Sequence, residues 1–560
     1  MAAKTMPYWM FPRPHRKLIH VPKSLSAFAG ASAGLDWYGN KDAQIRFETQ
    51  LESMRLKSRG NHTERDRGRG GSGGRTHAVL LYSLGLFFYH RETPEANQEL
   101  HLTTAGQALV DQQDALPVLR KQVLAHQFPS AYSFTRNVNV DRKFKVRPFV
   151  ALLKLLRHPH LDGYFTDREI AACVIGYMTG HSDHQTEKAV QRILAFRNFG
   201  TASLPTDFTT ALKSPKGQRA PTPEELIKDS SSTLGAIANT AAQWIRYTGY
   251  AMAADGEDFD AEAQTVTALN PSLTEEIDKA LEEWDKPVQS IWEPDDKFRL
   301  EKSAEAFQRT YGVKVGKQKD QRTIGNLRRT SNVDRTLGYV SAALTDVFAT
   351  QIVTQATDDV VDAVVSRTGL DQDSVTGALS KLITTPAAGV NSFLDRYEQM
   401  AFAGQEEAIA FEKATAEVLE RVFGLEARHI GQGGAVADVE TWSDDWAGII
   451  DTKAYATYDL PHDHQLRMQA KYVPSYAGAL EGKPLKFFMY ISGGFASGFS
   501  AKLRSVAATA GISGSGIAIQ PWRHLIGSYP DSDLTHDDLL QLWTLNREIT
   551  AQDVKDLVKA

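Results

Sequence analysis

Apolar and polar positions follow a helical period through most of this chain and a mixture of helix and strand periods near its C-terminal end. Up to about residue 385 the apolar residues recur mainly at helical spacing. The segments predicted to be helical are residues 76–91, 146–157, 166–178, 187–197 and much of 337–382. Thr166 to Glu169 is typical of a capping box, and Leu102 to Gly106 of a threonine-capped helix start. Short helices joined by turns indicate helix-turn-helix-like, winged-helix-like modules.

Beyond residue 385 strands enter the pattern. A helix is predicted from about Gln405 to Val422, ended by Gly424. Gly448 to Tyr455 is predicted to be a buried strand, because it has β-branched residues in its middle and small residues at intervals. The following elements are predicted as a helix at 464–472, a strand at 486–492, a helix at 499–508 and a strand at 516–519. Strands alternating with helices predict an α/β core with a mixed sheet.

The strand from Gly448 carries charge that its apolar surroundings do not explain. Side chains alternate along a strand, so Asp451 and Lys453 share one face with Ile449 and Tyr455. Buried charges are costly unless they are paired or bind a metal. A strand starting near Val436 would run back beside this one and bring the carboxylate of Asp438 to the same place.

Two carboxylates and a lysine at one point suit metal-assisted hydrolysis of a phosphodiester. Asp438 and Asp451 would hold a divalent cation through oxygen, as Mg²⁺ prefers. The cation polarises the phosphate and acidifies a bound water, and Lys453 would orient that water or neutralise developing charge. The pattern D-x(n)-D-x-K is weak by itself, because D-x-K triplets are common and a surface ion pair is the ordinary explanation.

The flanking sequence makes the pattern specific. The segments that carry the resemblance are Phe423-Gly424, Ala427 to Gly431, Ile449 to Tyr455, Leu460-Pro461, Gln465, Met468-Gln469, Tyr472-Val473, Lys486 to Phe488, Ile491 to Gly493 and Ala501 to Leu503. In order and spacing they resemble the cleavage domain of FokI-type (type IIS) restriction endonucleases, within the PD-(D/E)XK superfamily. Ala437 stands where many members have proline. The resemblance covers roughly residues 395–540, and upstream a looser one is to winged-helix recognition halves.

The resemblance implies roles for further residues. Glu412, on the first helix of the core, matches the place from which a glutamate approaches the metal in many members, although a solvated helix charge is the ordinary alternative. Gln465 is shared with the family and would support the site. Pairing of two cleavage domains is implied for a double-strand break, since two phosphates of opposite orientation are cut.

Charge is unevenly distributed despite a net charge of −5. Residues 1–75 hold fourteen lysines and arginines against six acidic residues, residues 136–157 seven against one, and residues 309–335 eight against two. Basic faces attract phosphate whatever the total charge is, although solvated surface is the alternative. The candidate DNA contacts are Arg13, Arg16, Lys17, Arg69, Arg75, Arg142, Lys143, Lys145 and Arg147. Histidines at 158, 160, 181, 184, 462 and 464 are interpreted as helix-end or loop residues rather than metal ligands.

Length and composition complete the expectation. A chain of 560 residues predicts several domains, here residues 1–140 and 141–290 (winged-helix-like recognition), 291–385 (helical coupling) and 386–560 (nuclease). One cysteine, Cys173, excludes an intrachain disulfide, and with no membrane-spanning or signal pattern we expect a reducing, bacterial cytoplasm. The fold class is a multidomain α+β chain, with mainly helical winged-helix-like domains before an α/β nuclease core.

We therefore expect a type IIS restriction endonuclease that uses Mg²⁺, binds double-stranded DNA, pairs transiently as a homodimer and is accompanied by a DNA methyltransferase acting on the same site. Three alternatives from the same parts are a strand-specific nickase, an enzyme requiring modified bases and an RNA nuclease. A fourth is a winged-helix regulator with an inactive, dimerising nuclease-like domain. The intact set of Asp438, Asp451 and Lys453 disfavours the regulator, because an inactive domain has no reason to keep it.

Overall fold

The computed structural model divides the chain into two compact units. The N-terminal unit comprises Met1–Asp111 with Ala115–Ala343, and the C-terminal unit comprises Gln112–Asp114 with Leu344–Ala560. The residues that the structure describes are 5–57, 72–135, 139–208, 221–255, 265–291, 293, 295–311, 332–348, 352–353, 355–383, 393–394, 397–398, 400–402, 408–431, 436–455 and 457–559. The predicted fold class, a helical N-terminal part before a mixed-sheet domain, is confirmed. The finer division into four domains stays a prediction.

The N-terminal unit is mainly helical. Its longer helices are His20–Ser32, Lys41–Ser53, Ser72–Ser83, Thr104–Val110, Ala115–Ala125, Pro148–Leu156, Asp183–Phe199, Thr233–Tyr247, Thr274–Trp284 and Lys297–Thr310. Its short strands are β1 (Thr5–Met6), β2 (Phe87–His90), β3 (Glu99–Leu102), β4 (Asn139–Val140), β5 (Tyr164–Phe165), β6 (Ala251–Asp255) and β7 (Thr265–Leu269). They form two pairs, β1–β4 and β2–β3, and a sheet of order β5-β7-β6.

Two predicted helix starts are confirmed in this unit. The Thr166 hydroxyl accepts from the backbone N–H of Glu169, and the Glu169 carboxylate accepts from that of Thr166, which is the reciprocal capping box. Thr103 caps Thr104–Val110 by accepting from the N–H of Gly106. Local side-chain chemistry therefore defines these helix boundaries.

The helix predicted over residues 76–91 is wrong in its second half. The helix ends at Ser83, and Phe87–His90 is strand β2, paired antiparallel with β3. Gly85 has a φ of +66°, which residues other than glycine rarely adopt, and a Cβ there would meet the ring of Tyr311 at 2.1 Å. A left-handed turn therefore stops the helix inside an apolar run that helical periodicity alone would extend.

The basic N-terminal segment is packed into the core rather than extended along the surface. Trp9 and Phe11 are buried, and the Trp9 indole N–H donates to the carbonyl of Met178 at 3.0 Å. The Phe11 ring lies 5.4–5.7 Å from the rings of His126, Phe128, Phe149 and Trp244. These contacts make Trp9 and Phe11 an ordered part of the core.

Three further helices lie between residues 332 and 382 of the chain. Asn332–Phe348, Asp358–Thr368 and Gln372–Leu382 agree with the helical prediction for 337–382. Among the described residues, no helix is long and apolar enough to cross a membrane.

The C-terminal unit is built on one mixed sheet. Its strands are β8 (Glu426–His429), β9 (Val439–Trp442), β10 (Ala447–Thr452), β11 (Ala479–Leu480), β12 (Lys483–Ser492), β13 (Ser513–Ala518) and β14 (Glu548–Ile549). The order is β14-β13-β12-β10-β9-β8, with β11 beside β12. Strands β10, β12, β13 and β14 are parallel, whereas β8, β9 and β10 are joined as antiparallel neighbours. The predicted mixed sheet is therefore present.

Each face of this sheet is covered by helices. One face, with Ile450, Met489 and Ile491, packs against Ala408–Arg421, Ile519–Ser528, His536–Trp543 and Ala551–Lys559. The other face, with Ile449, Phe488 and Tyr490, packs against Phe499–Ala510 and the π-helix Met468–Tyr472, which follows the helix His462–Arg467. Because both faces are buried, the central strands are apolar along their length, and a charged residue on one of them stands out.

Candidate active site

The candidate site lies at the end of β10, on the face that carries Ile449. All six residues of β10 are buried, and Asp451 is its next-to-last residue. Ile450 pairs with Val439 of β9, so continuing the antiparallel register by one residue sets Asp438 directly opposite Asp451. Directly opposed residues have Cβ atoms about 5 Å apart and share a face. The predicted return strand is confirmed as β9, although it begins at Val439 rather than Val436.

Backbone contacts hold Asp438 in place. The N–H of Thr452 donates to Asp438 Oδ2 at 2.9 Å, and the N–H of Ile430 donates to the Asp438 carbonyl at 2.9 Å. The end of β10 therefore holds the carboxylate of Asp438, and the residue that follows β8 holds its main-chain carbonyl. Residues 432–435, which precede β9, lie outside the described residues.

Lys453 closes the set. Its Nζ lies 2.7 Å from Asp451 Oδ1 and 3.8 Å from Asp438 Oδ2. The residue follows the end of β10, and its N–H still donates to the Ile491 carbonyl at 2.8 Å. The strand prediction ran on to Tyr455, but β10 ends at Thr452 and Tyr455 is half exposed. The ammonium is therefore on the site face, whereas the phenol of Tyr455 is at the surface.

Electrostatic interactions within this cluster shift the pKa values of Asp438 and Lys453. Burial and, next, the charge of Asp451 raise the pKa of Asp438 to about 8, although Lys453 acts in the opposite direction. Burial alone would lower the pKa of Lys453, but Asp451 and Asp438 outweigh it, so that pKa lies above its ordinary value. The lysine thus stays protonated, while burial beside another carboxylate favours the neutral form of Asp438.

Glu412 is buried nearby but has a partner of its own. It lies on the helix Ala408–Arg421, and its Oε2 is 2.8 Å from His429 Nε2 on β8. Its charge is one of those that raise the pKa of Asp438. The solvated helix charge that we considered as an alternative does not describe this carboxylate, which is almost fully buried.

Gln465 and the histidines beside it brace the loop after the site. The Gln465 amide donates to the carbonyl of Leu460, which has a φ of +55°. His462 is the first residue of its helix, as predicted, and His464 Nδ1 lies 2.8 Å from the hydroxyl of Tyr458. Sequence reasoning missed Tyr458 and Tyr490, and the only signal for Tyr490 is a phenol in an otherwise apolar strand.

The donor set fits a hard divalent cation. Carboxylate oxygens are the ligands that Mg²⁺ prefers, and Mg²⁺ is usually bound by one or two carboxylates while it keeps waters and phosphate oxygens. Within the described part of the chain, no group of three or more histidine, cysteine, aspartate or glutamate side chains is arranged to hold a metal ion by itself. The two carboxylates at one point therefore fit a hard divalent cation.

The candidate DNA contacts in the N-terminal unit differ in exposure. Arg13, Lys17, Lys143 and Lys145 are exposed. Arg75 is exposed and donates to Gln44, Arg142 is exposed and pairs with Glu293, and Arg16 donates to Asn239 and to the Ser230 carbonyl. Arg69, with the basic glycine-rich loop before residue 72, lies outside the described residues, as does most of the basic run 309–335.

Arg147 requires a correction. It is buried, and its guanidinium donates to the carbonyls of Lys286 at 3.2 Å and Ala125 at 2.7 Å. A guanidinium held by main-chain carbonyls in the interior does not face a phosphate. Of the candidate DNA contacts between residues 142 and 147, Arg142, Lys143 and Lys145 are exposed.

Comparison with known proteins places the site in a matched segment. Residues 369–550 match the family model described as FokI, cleavage domain. Two solved structures, of restriction endonuclease FokI alone and bound to DNA, match at 12% identity over 98% of this chain and 100% of theirs. Their TM-score of 0.27 is too low to support a shared fold over the whole chain. No curated protein matches the chain.

The predicted resemblance of the C-terminal part to FokI cleavage domains is confirmed by the family match. The matched segment contains Glu412, Asp438, Asp451, Lys453 and Gln465. It covers about a third of the chain, so it concerns this unit and not the N-terminal one.

Proposed function

We propose that this protein is a type IIS restriction endonuclease. Its N-terminal unit binds a short duplex DNA sequence, and its C-terminal unit hydrolyses a phosphodiester in each strand at a fixed distance outside that sequence. The observation that carries the proposal is the meeting of Asp438, Asp451 and Lys453 at the end of one buried strand. The family match of residues 369–550 supports it.

Each site residue has a role that follows from its surroundings. Asp438 and Asp451 hold Mg²⁺ through their carboxylates, and Glu412 keeps its charge close to them through its contact with His429. A bound Mg²⁺ supplies a Lewis acid for the phosphate and lowers the pKa of a bound water. The Lys453 ammonium orients the attacking water or neutralises charge on the phosphorane. Gln465 supports the loop at Leu460.

Recognition and cleavage are separate tasks in this scheme. Base edges in the grooves carry sequence information, whereas hydrolysis needs only the backbone phosphates. The exposed cations Arg13, Lys17, Lys143 and Lys145 are proposed to contact phosphates, with Arg142, Arg16 and Arg75 able to exchange their present partners for them. Each phosphate contact adds to the salt dependence of binding.

Each chain supplies one set of Asp438, Asp451 and Lys453, and a double-strand break needs two sets in opposite orientation. A transient homodimer of cleavage domains with two-fold symmetry meets this need. We further propose the bacterial cytoplasm as the setting and a DNA methyltransferase of the same specificity as the accompanying enzyme, since unprotected sites in the cell's own DNA would be cut.

The test is incubation of supercoiled plasmid with the protein and Mg²⁺, or with EDTA, followed by sequencing of the ends. Mg²⁺-dependent double-strand ends at a fixed offset from a shared motif are expected. Open circles alone would indicate a nickase, and a retained gel shift without cutting would favour a DNA-binding regulator. Cutting in EDTA would refute the metal-dependent mechanism.

A further inference from the structure

Tyr490 carries a buried hydroxyl for which the structure gives no partner. The side chain is fully buried near the C-terminal end of β12, and among the described residues no atom forms a hydrogen bond with the phenol oxygen. Buried polar atoms are almost always hydrogen-bonded, and each exception requires an explanation such as a bound water, an ion or a catalytic role. The phenol oxygen is therefore available for a partner that the protein chain does not supply.

The hydroxyl belongs to a residue that lies beside the candidate site. Asp451 and Tyr490 are register partners in the parallel pair β10–β12, so their side chains leave the same face from strands about 4.8 Å apart. Asp438 lies opposite Asp451 on its other side. Tyr490, Asp451 and Asp438 thus form one row across three adjacent strands.

Aromatic packing prevents the Tyr490 ring from turning away. Its centroid lies 5.6 Å from that of Tyr458, 6.0 Å from Phe488 and 6.1 Å from Phe499, and the two phenylalanine rings meet it at 81° and 83°. Burial raises the pKa of Tyr490 well above its ordinary value, and the charge of Asp451 is the next cause. The hydroxyl therefore remains protonated and able to donate.

A second buried hydroxyl without a partner shows what is particular about Tyr490. Ser515 on β13 is fully buried and also lacks a hydrogen bond within the described residues. It pairs with Met489, whose side chain packs on the opposite face of the sheet, away from the carboxylates. Tyr490 and Ser515 are therefore buried to the same extent, but of the two it is Tyr490 that lies on the face of the sheet that carries Asp451.

We propose that Tyr490 is a positioning residue of the carboxylate site. Its hydroxyl donates a hydrogen bond to a water molecule that also contacts Asp451, and this bond fixes the carboxylate for binding of a divalent cation. Buried waters commonly bridge polar groups that the chain leaves unsatisfied. Lys453 already holds Asp451 from one side, at Oδ1, and the water bridge would hold it from the side of β12. The inference rests on the proposed metal-dependent function.

The test measures cation affinity rather than cleavage. Mn²⁺ is titrated into the full-length protein without DNA and followed by the electron paramagnetic resonance signal of the free ion. Tyr490→Phe, which removes one oxygen, is expected to weaken Mn²⁺ binding by about 10- to 100-fold, as loss of a group that orients a metal ligand does. Ser515→Ala, the matched control, is expected to bind as the wild type does.

Thermal unfolding without cation separates positioning from folding. Tyr490→Phe should unfold at the wild-type temperature or above it, since no hydrogen bond within the chain is lost. A lower unfolding temperature, or unchanged Mn²⁺ affinity, would overturn the inference. Asp451→Ala distinguishes the two proposals: if it also binds Mn²⁺ normally, the metal-dependent function itself fails, whereas loss of binding in Asp451→Ala alone refutes only the role of Tyr490.

Discussion

Two histidines of the N-terminal unit and the charged cluster of the C-terminal unit are buried in opposite ways. In the N-terminal unit, burial lowers the pKa of His77 to about 3 and that of His126 to about 4, so both imidazoles are neutral at pH 7. Their neighbours are largely aromatic, as with Phe11 and Trp244 around His126. In the C-terminal unit, two carboxylates and an ammonium are buried side by side at the end of β10.

Packing alone explains the buried histidines, whereas the charged cluster at the end of β10 requires a chemical explanation. A lone buried imidazole is accommodated by staying neutral, which needs no counter-charge. A buried cluster of charges is rarely the most stable way to fill a core, because desolvation offsets the attraction between the charges. Clustered groups with shifted pKa values are therefore better explained by function than by folding.

The largest effect is expected from breaking the charged cluster itself. Asp451→Ala or Lys453→Ala should lower the cleavage rate by at least about 10³-fold, because metal-ligand and water-positioning groups act together in the transition state. Specific DNA binding should change little. Cleavage is measured by plasmid linearisation and binding by gel shift at the same salt concentration.

Asp445→Ala is the matched control for these variants, since this carboxylate is exposed in the turn between β9 and β10. It should cleave as the wild type does. Loss of specific binding in Asp451→Ala or Lys453→Ala would contradict the separation of recognition from cleavage.

Acid should weaken the two units differently. Because the pKa of His126 is about 4 in the folded state and 6.5 ordinarily, its contribution is fully present above pH 6.5 and is lost as the pH falls towards 4. The loss of this contribution between pH 7.5 and pH 4.5 should lower the free energy of unfolding by about 2.5 kcal/mol. Urea titrations at both pH values measure the loss, and His126→Phe should reduce it.

Asp438 should respond with the opposite sign. Its pKa is raised to about 8, so its contribution to stability is fully present below its ordinary pKa of 3.8 and is lost as the pH rises through 8.

An acid-induced loss of stability that is unchanged in His126→Phe would contradict the assignment of the first effect to His126.

A smaller effect is expected from Arg147, a buried cation in the N-terminal unit. Arg147→Met should lower the free energy of unfolding by about 2 kcal/mol, because the carbonyl of Ala125 loses its donor and that of Lys286 keeps only His181 Nε2. Lys143→Met, at an exposed neighbour, should change it by less than about 0.5 kcal/mol. The reverse order in urea unfolding would show that Arg147 is not an interior group.

The smallest effect should come from Glu412. Glu412→Gln keeps a hydrogen-bonding group beside His429 but removes a charge near Asp438, and it should slow cleavage by about 10-fold with unchanged DNA binding. Glu417→Gln, on the same helix and paired with Arg421 at the surface, is the control. Equal rates for both variants in plasmid linearisation would exclude Glu412 from the site.

How far the sequence predicts this molecule depends on the range of the interaction. The capping box at Thr166 and the buried strand with Asp451 follow from neighbouring residues, and both were predicted. The turn at Gly85 was missed because helical and strand periods are hard to distinguish in a short apolar run. The burial of Arg147 depends on carbonyls 22 and 139 positions away, which composition does not reveal.

Within the candidate site, too, the residues that are close in sequence could be predicted and the distant ones could not. Asp438 could be placed opposite Asp451 because one short hairpin joins them. The row that includes Tyr490 depends on the register between β10 and β12, which are separated by a helix, a π-helix and strand β11. A phenol in an apolar strand carries no local sign of its neighbour on the next strand.

The burial of Cys173 has a practical consequence for observing the assembly at work. The thiol is buried and burial raises its pKa to about 12, so it reacts poorly with maleimides at neutral pH. A cysteine introduced on the surface of the C-terminal unit would then carry a fluorophore selectively on an otherwise native background. Energy transfer between donor- and acceptor-labelled copies would report in real time whether two cleavage domains meet before DNA is cut.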